Sequence, residues 1–439
     1  MGPAVRQSFL ADQSPAGYHI VSRAAICRHV SSARFLDMSD LQQIQSARER
    51  IAGSVVLTPC TPSEAFGELF NGHAWFKFEN LQRTGSFKER GALNRMLLIP
   101  QGELGRGVIA ASAGNHAQGV AYHASRLGIS ATVVMPERTP LIKVSNTRRY
   151  GARVVLHGSN YDEAMAEALR LQEQEGSTMV HPFNDPAVIA GQGTVGLELH
   201  EQCPEMDVVV VPVGGGGLIS GIAVAIKEIR PEIRIVGVEA ATLPAAKRSR
   251  EMGRVTTIDA AETIADGIAV RSIGQHTFEL MERYVDDLVT VEEEEIASAV
   301  LLLLEREKTV AEAASAAALA AVLSGAVADV AGANVVFLLS GGNIDVNLLS
   351  RIIERGLVND GRLTHLEVRV SDRPGALASL TSLLAEMGAN ILKLDHRRGM
   401  QGLWVTEAEV ALTLETRGST HASELVTALE EAGYLVSRP

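Results

Sequence analysis

Between residues 107 and 238, short β-branched runs alternate with segments of helical periodicity, and no other feature of the chain limits its fold as strongly. Val108-Ile109-Ala110, Ala131–Met135, Arg153–Leu156, 208–211 and 233–238 read as strands, with helices over 118–127, Tyr161–Glu175 and 218–229 between them. Strand, helix, strand in succession makes βαβ units, whose strands run parallel and are covered on both faces. One more strand, 335–339, ends at Ser340-Gly341-Gly342-Asn343. The expected class is α/β. Hydrophobic residues make up 46% but aromatics only 4%, with 40 glycines, a bias that lets helices approach a parallel sheet closely. At 439 residues the chain exceeds a single core, so two or three domains are expected.

A net charge of −12 argues against nucleic acid as a partner, because binding to phosphate backbones rests on Lys and Arg displacing counterions. Small molecules and further subunits are the expected partners. Cys27, Cys60 and Cys203 are too few and too scattered for a disulfide framework or a metal cluster, which fits a reducing cytosol. The most apolar stretch, 313–328, is bounded by Glu312 and Asp329 and is shorter than a membrane span, so it reads as a buried helix. Residues 1–38 are expected to be a disordered extension, and their arginines leave an organelle presequence as the alternative to a cytoplasmic location. Met38-Ser39-Asp40 then opens a capped helix through Leu41, Ile44 and Ile51.

Turn formers gather over 355–361, which reads as a linker (355–363) between a core at 39–354 and a terminal module at 364–439. Within that module come strand 366–370, the turn Asp372-Arg373-Pro374-Gly375, helix 376–387, strands 391–394 and 403–414, helix 421–431 and strand 434–436. The order βαββαβ describes a ferredoxin-like unit.

Three motifs carry chemistry. Lys88 follows Ser86-Phe87 at a helix start read as capped by Ser86, where a cation opposes the helix dipole. Most lysines are merely solvated, but one placed so could condense with an aldehyde or act as a base if burial lowers its pKa. Gly214-Gly215-Gly216-Gly217-Leu218 lies between a strand and a helix, where backbone amides can converge on a phosphate. It lacks the Lys-Ser/Thr ending of a Walker loop, and its glycine spacing misses the dinucleotide fingerprint by one residue, although Glu239 at the next strand end keeps that alternative open. Ser112-Ala113-Gly114-Asn115-His116 also joins a strand to a helix and could hold a carboxylate, although alone it is an ordinary N-cap pattern and His116 reads as structural.

Together with Arg83-Thr84-Gly85, Thr263-Ile264-Ala265-Asp266-Gly267 and Ser340-Gly341-Gly342-Asn343, these motifs resemble the threonine/serine dehydratases of the fold-type II pyridoxal-phosphate enzymes, over residues 41–355. Asp372-Arg373-Pro374-Gly375-Ala376-Leu377 and Gly388-Ala389-Asn390-Ile391 resemble the ACT regulatory domain. The resemblance implies a tryptophan-synthase-β-like core of two domains, the smaller at about 84–180, and pyridoxal 5'-phosphate as cofactor. It implies that Lys88, beside Phe87, holds the cofactor covalently and then serves as the base. Asn115 would bond the ring hydroxyl, Gly214, Gly215, Gly216, Gly217 and Leu218 the phosphate, and Ser340 would face the ring nitrogen without keeping it protonated. Ser112, Gly114 and Asn115 would receive the substrate carboxylate.

Departures from the family pattern refine this. Racemase relatives place a serine where Ala113 stands, so dehydration is expected over racemisation. Metal-dependent members pair the position of Glu239 with a carboxylate six residues on, where this chain has Ala245, so no metal site is expected. Glu312-Ala313-Ala314-Ser315 replaces the commoner Glu-Gly-Ala-Gly. The resemblance implies a threonine ammonia-lyase, in isoleucine biosynthesis or in a catabolic role, forming 2-oxobutanoate and ammonia in a homodimer or homotetramer, with serine a lesser substrate. An amino-acid effector, isoleucine or valine, would bind beside Asp372, Arg373, Pro374, Gly375 and Asn390. The alternatives are a dehydratase for serine or 3-hydroxyaspartate, and a catalytically idle amino-acid sensor.

Overall fold

A computed structural model describes residues 40–399 and 402–438. The N-terminal extension, Cys27 and the Met38-Ser39 cap lie outside the described residues, among which the first helix is Asp40–Ile51.

Six strands form the larger sheet: β1 (Cys60–Ser63), β2 (His73–Phe78), β7 (Val208–Pro212), β8 (Arg234–Ala240), β9 (Asp287–Val291) and β10 (Asn334–Leu339), in the order β1-β2-β10-β7-β8-β9. Only the β1–β2 pair is antiparallel. Four strands, β3 (Val108–Ala111), β4 (Ala131–Met135), β5 (Arg153–Leu156) and β6 (Thr178–Met179), make a second, wholly parallel sheet in the order β5-β4-β3-β6. It is inserted in the chain between β2 and β7. The stretch expected as a buried helix is Ala313–Leu323, and every residue but its last is buried. A helix apolar at every position but Ser315 needs cover on every side, and this one packs on β7, β8, β9 and β10.

Glycines set how near the helices come. Helix Pro186–Gln202 lies between helices Lys88–Leu97 and Gly217–Lys227. A Cβ on Gly191 would stand 2.6 Å from the Gly91 Cα and the Arg90 carbonyl oxygen, and one on Gly221 would stand 2.4 Å from the Ile189 carbonyl oxygen. Backbone thus meets backbone on both sides of the central helix, where no side chain can move aside.

The terminal module pairs β11 (Leu363–Ser371), β12 (Asn390–Arg397), β13 (Glu407–Glu415) and β14 (Leu435–Ser437) in the antiparallel order β12-β13-β11-β14. Leu366, Val368 and Val370 alternate inward against Leu380 and Leu384 of helix Ala376–Glu386 and Leu425 and Leu429 of helix Ser419–Glu431.

Local expectations differ from the structure at several points. The segment 355–361 does not break into a turn after Glu354: helix Val346–Asn359 runs through most of it, held by Arg355–Glu294 at 2.6 Å and by Gly356 lying against Leu301. The strand expected from 403 begins at Glu407, after the Trp404–Glu407 turn. Strands β1 and β2 carry polar residues at alternate or successive positions and lack the β-branched runs that mark their neighbours, while β9, which has Val289-Thr290-Val291, lies outside the stretch of alternation from 107 to 238.

Gly221→Ala is expected to destabilise the protein by about 1–3 kcal/mol through overpacking, read as a lower urea midpoint with an unchanged m-value.

Candidate active site

Three parallel strands end at one cavity of about 1150 Å³. Ala111 ends β3 and leads into Ser112, Pro212 ends β7 and leads into the glycine run, and Leu339 ends β10 and leads into Ser340. Carboxyl ends of strands in open α/β sheets are where such crevices form. The cavity is lined by all of Phe87, Lys88, Ser112, Gly114, Asn115, Gly214 through Leu218 and Ser340, so the residues singled out in the core, far apart in sequence, meet here.

Lys88 and Ser340 are brought together by backbone stitching. Phe87 N–H donates to the Ser340 carbonyl at 3.1 Å, Gly342 N–H to the Gly85 carbonyl at 2.9 Å, and Ser86 forms a bridge with Gly341. This corrects the reading of Ser86 as a cap: the N-cap of helix Lys88–Leu97 is Phe87, with no side-chain cap, and the Ser86 hydroxyl is buried without a partner.

The helix carrying Lys88 is anchored two residues on. Arg90 is fully buried and donates to Glu79 at 2.7 Å and to Glu198 at 2.5 Å, while Lys77 donates to Glu198 at 2.6 Å. Burial alone would lower the Arg90 pKa, but the two carboxylates raise it. Burial drives Glu79 up, and Arg90, Lys77 and Thr58 together more than offset it, leaving Glu79 below the usual carboxylate range.

The Lys88 ammonium nitrogen donates to the Pro182 carbonyl at 2.9 Å. Burial lowers its pKa to about 8, and Glu312 opposes that shift. Glu312 was missed as a site residue, because a glutamate before an apolar helix reads as an ordinary cap. It is 4% exposed and lines the cavity. Asn115 Nδ2 donates to both of its oxygens at 2.9 Å, yet burial dominates and raises the Glu312 pKa to about 7. Asn115 Oδ1 accepts from Asn343 at 2.8 Å. The Ser112 hydroxyl accepts from the Gly114 amide at 3.2 Å. His116 bonds the Val180 carbonyl at 2.7 Å, and burial, with the Lys88 charge nearby, lowers its pKa to about 3. It is a neutral, structural histidine.

Three glycines of the run have a steric or conformational reason. A Cβ on Gly215 would meet the Phe183 ring at 2.2 Å, one on Gly217 the Phe183 backbone at 2.9 Å, and Gly216 has φ of 89°. Among the described residues, nothing accepts from the amides of Gly214, Gly215 or Gly216. Side chains are excluded from the turn, and its unpartnered donors line the cavity.

Elsewhere, Glu239 accepts from the amides of Ala246 and Lys247 at 2.7 and 2.8 Å, and burial raises its pKa to about 7. Among the described residues, no group of three or more His, Cys, Asp or Glu is placed to hold a metal, and no helix is long and apolar enough to cross a membrane. Cys60 and Cys203 are buried free thiols. In the terminal module Asp372, Arg373, Pro374, Gly375 and Asn390 are exposed. Asp372 pairs with Arg398 at 2.9 Å and Asn390 donates to Glu415 at 3.0 Å. The groove of this module, between Met387 and helix Ser419–Glu431, is lined by other residues.

Residues 51–341 match the family model of the pyridoxal-phosphate dependent enzymes. The chain belongs to that family. Residues 364–433 match the ACT domain model. The L-threonine ammonia-lyase of Thermotoga maritima is 49% identical over 399 residues, 91% of this chain and 99% of that one. The processed form of threonine deaminase isoform 2 from Solanum lycopersicum superposes with a TM-score of 0.69 at 36% identity, covering 74% of this chain and 94% of that one. Maize serine racemase does so with a TM-score of 0.69 at 35% identity, covering 73% and 98%. The core is therefore the fold-type II arrangement with an ACT domain after it, and its cofactor is pyridoxal phosphate.

The residues present fit that group. Unpartnered glycine amides suit a phosphate, and an amine with its pKa brought to about 8 suits an aldehyde.

Capture of added pyridoxal phosphate by the cofactor-free protein requires the neutral Lys88 amine. Its rate is expected to rise with pH through a midpoint near 8 instead of near 10.5, the ordinary lysine value, followed as visible absorbance after rapid mixing.

Proposed function

We propose that this protein converts L-threonine to 2-oxobutanoate and ammonia by pyridoxal-phosphate-dependent dehydration and deamination. The observation that carries the proposal is the juxtaposition of Lys88 with Ser340 and the glycine amides at one cavity, in a chain similar over 91% of its length to an L-threonine ammonia-lyase. When bound, the cofactor supplies an electron sink that acidifies the α-carbon of an amino acid held on it.

The roles of this chain's own residues follow from their chemistry. The Lys88 nitrogen would hold the cofactor and, once freed, take the α-proton, a task suited to an amine whose pKa lies near neutrality. Gly214 to Leu218 would hold the phosphate through backbone N–H groups at a helix start. Ser112, Gly114 and the free amides opening helix Asn115–Leu127 would hold the substrate carboxylate. Asn115 is oriented by Glu312 and Asn343, and its Nδ2, which donates to both Glu312 oxygens, would give up one of those bonds to reach the ring hydroxyl. Phe87 lies 5.0 Å from the Lys88 nitrogen and helps exclude water.

The likeness to maize serine racemase favours a second reading, amino-acid racemisation, and Ala113 weighs against it. Racemisation needs an acid/base group on each face of the α-carbon, and a methyl group can exchange no proton.

For the ACT domain we propose feedback by isoleucine or valine near Asp372, Arg373, Pro374, Gly375 and Asn390. An effector there would be closed in by a second copy, in a homodimer or homotetramer, because these residues are exposed on one chain. The setting proposed is the cytoplasm.

Lys88→Ala is expected to lower 2-oxobutanoate formation at least about 10³-fold and to abolish the lysine-dependent visible band. Keto-acid release with threonine, serine and 3-hydroxyaspartate compared side by side should favour threonine; equal inertness to all three would instead support a sensor. Ala113→Ser is expected to make serine racemisation measurable by chiral chromatography.

A further inference from the structure

Ser315 lies in the first turn of helix Ala313–Leu323 and is fully buried. Its hydroxyl oxygen is 2.7 Å from the Gly341 amide nitrogen, 2.6 Å from the Gly341 carbonyl oxygen and 3.0 Å from the Ser340 hydroxyl. A serine hydroxyl has one proton to give and two lone pairs with which to receive. An amide N–H only donates and a carbonyl oxygen only accepts. Ser315 therefore accepts from the Gly341 amide and gives its proton to the carbonyl, the shortest of the three contacts. One polarity is left for the third: Ser340 donates to Ser315. Among the described residues no other group bonds the Ser340 hydroxyl, which lines the cavity. Its proton points into the protein and its lone pairs face the cavity.

We propose that Ser315 is a positioning residue that makes Ser340 a hydrogen-bond acceptor toward the cavity, and so favours the protonated ring nitrogen of bound pyridoxal phosphate. The proposal rests on the reading that this nitrogen faces Ser340. A neutral ring nitrogen would meet Ser340 lone pair to lone pair unless the hydroxyl turned its proton around, which breaks its bond to Ser315. A protonated nitrogen donates with nothing rearranged. The bias is that of one hydrogen bond, about five-fold in the protonation equilibrium. It revises the expectation that a serine at 340 leaves the ring unprotonated, since the polarity of the hydroxyl is set by a second serine. The ionisable groups around this part of the cavity include Glu312 at the start of the Ser315 helix, the Asp266–Lys143 pair, whose Asp266 segment packs on that helix, Lys88 beyond the stitched turn and His116. They are common to all the variants compared.

The test uses full-length protein loaded with pyridoxal phosphate labelled with nitrogen-15 in the ring, whose chemical shift reports ring protonation directly as pH is varied. Ser315→Ala and Ser340→Ala are each expected to lower the protonation midpoint, by a change equivalent to about five-fold, and Ser315→Ala is expected to add nothing in the Ser340→Ala background. A midpoint raised by Ser340→Ala would mean that Ser340 donates to a neutral ring, and would overturn the proposal. A fall with Ser340→Ala but none with Ser315→Ala would overturn the role of Ser315 while leaving the ring nitrogen at Ser340. If neither variant moves the midpoint, the placement of the ring nitrogen is itself wrong. Should Ser315→Ala fail to fold, the sign of the Ser340→Ala shift still decides whether Ser340 accepts, and Ser315→Thr, which keeps the hydroxyl, is expected to retain the wild-type midpoint; a fall there would overturn the proposal.

Discussion

Arg90 holds the structure together at the point where chemistry would begin. Its guanidinium is shared by Glu79, at the end of β2, and Glu198, on helix Pro186–Gln202, and Lys77 adds a second cation to the same buried group. Two positive and two negative charges cancel, and the remaining donors and acceptors are met by Thr58, Thr194 and Gln202. Such a cluster adds little net stability as a whole, but losing one member leaves an uncompensated buried charge and costs about 3–5 kcal/mol. Lys88 is two residues from Arg90, so the lysine inherits a fixed position from a network that never touches the cavity.

Burial then tunes what that fixed frame presents. The same exclusion of water lowers Lys88 to about 8, raises Glu312 to about 7 and lowers His116 to about 3. A base and an acid are left poised near neutral pH while the histidine stays uncharged. Asn115 sits between Glu312 and Asn343, so its amide is oriented before any ligand arrives. The glycine run completes the frame: close contact with Phe183 forbids side chains on it, and its unpartnered amides line the cavity.

Much of this was legible in the chain itself, and the reasons differ by element. Parallel strands buried on both faces must be β-branched runs, so β3, β4, β7, β8 and β10 declared themselves. Strands β1 and β2 are paired through contacts that only the completed sheet supplies, and Thr61, Pro62 and Lys77 hide them. Ser86 looked like a cap because capping is local, whereas its backbone is claimed by Gly341, more than 250 positions away. Glu312 looked like an ordinary cap and Ser315 like a departure from a family pattern, and their partners, Asn115 and Ser340, could be assigned only in three dimensions. Gly356 and Asn359 argue for a break by propensity, but packing of Gly356 on Leu301 outweighs the cost of a glycine in a helix.

Helix Val346–Asn359 starts beside the cavity. Asp345, which lines that cavity, accepts from the amides of Asn347 and Leu348 and so caps the helix. Its far end passes through Asp360 and Gly361 into β11, the second strand from the edge of the ACT sheet. Fourteen helical residues at about 1.5 Å each make a rod of about 21 Å. A flexible tether would absorb displacement as slack, whereas a rod carries twist and thrust from one end to the other. The rim of the cavity and the ACT sheet thus share one mechanical axis, with Arg355–Glu294 and Gly356–Leu301 as its bearings on the core.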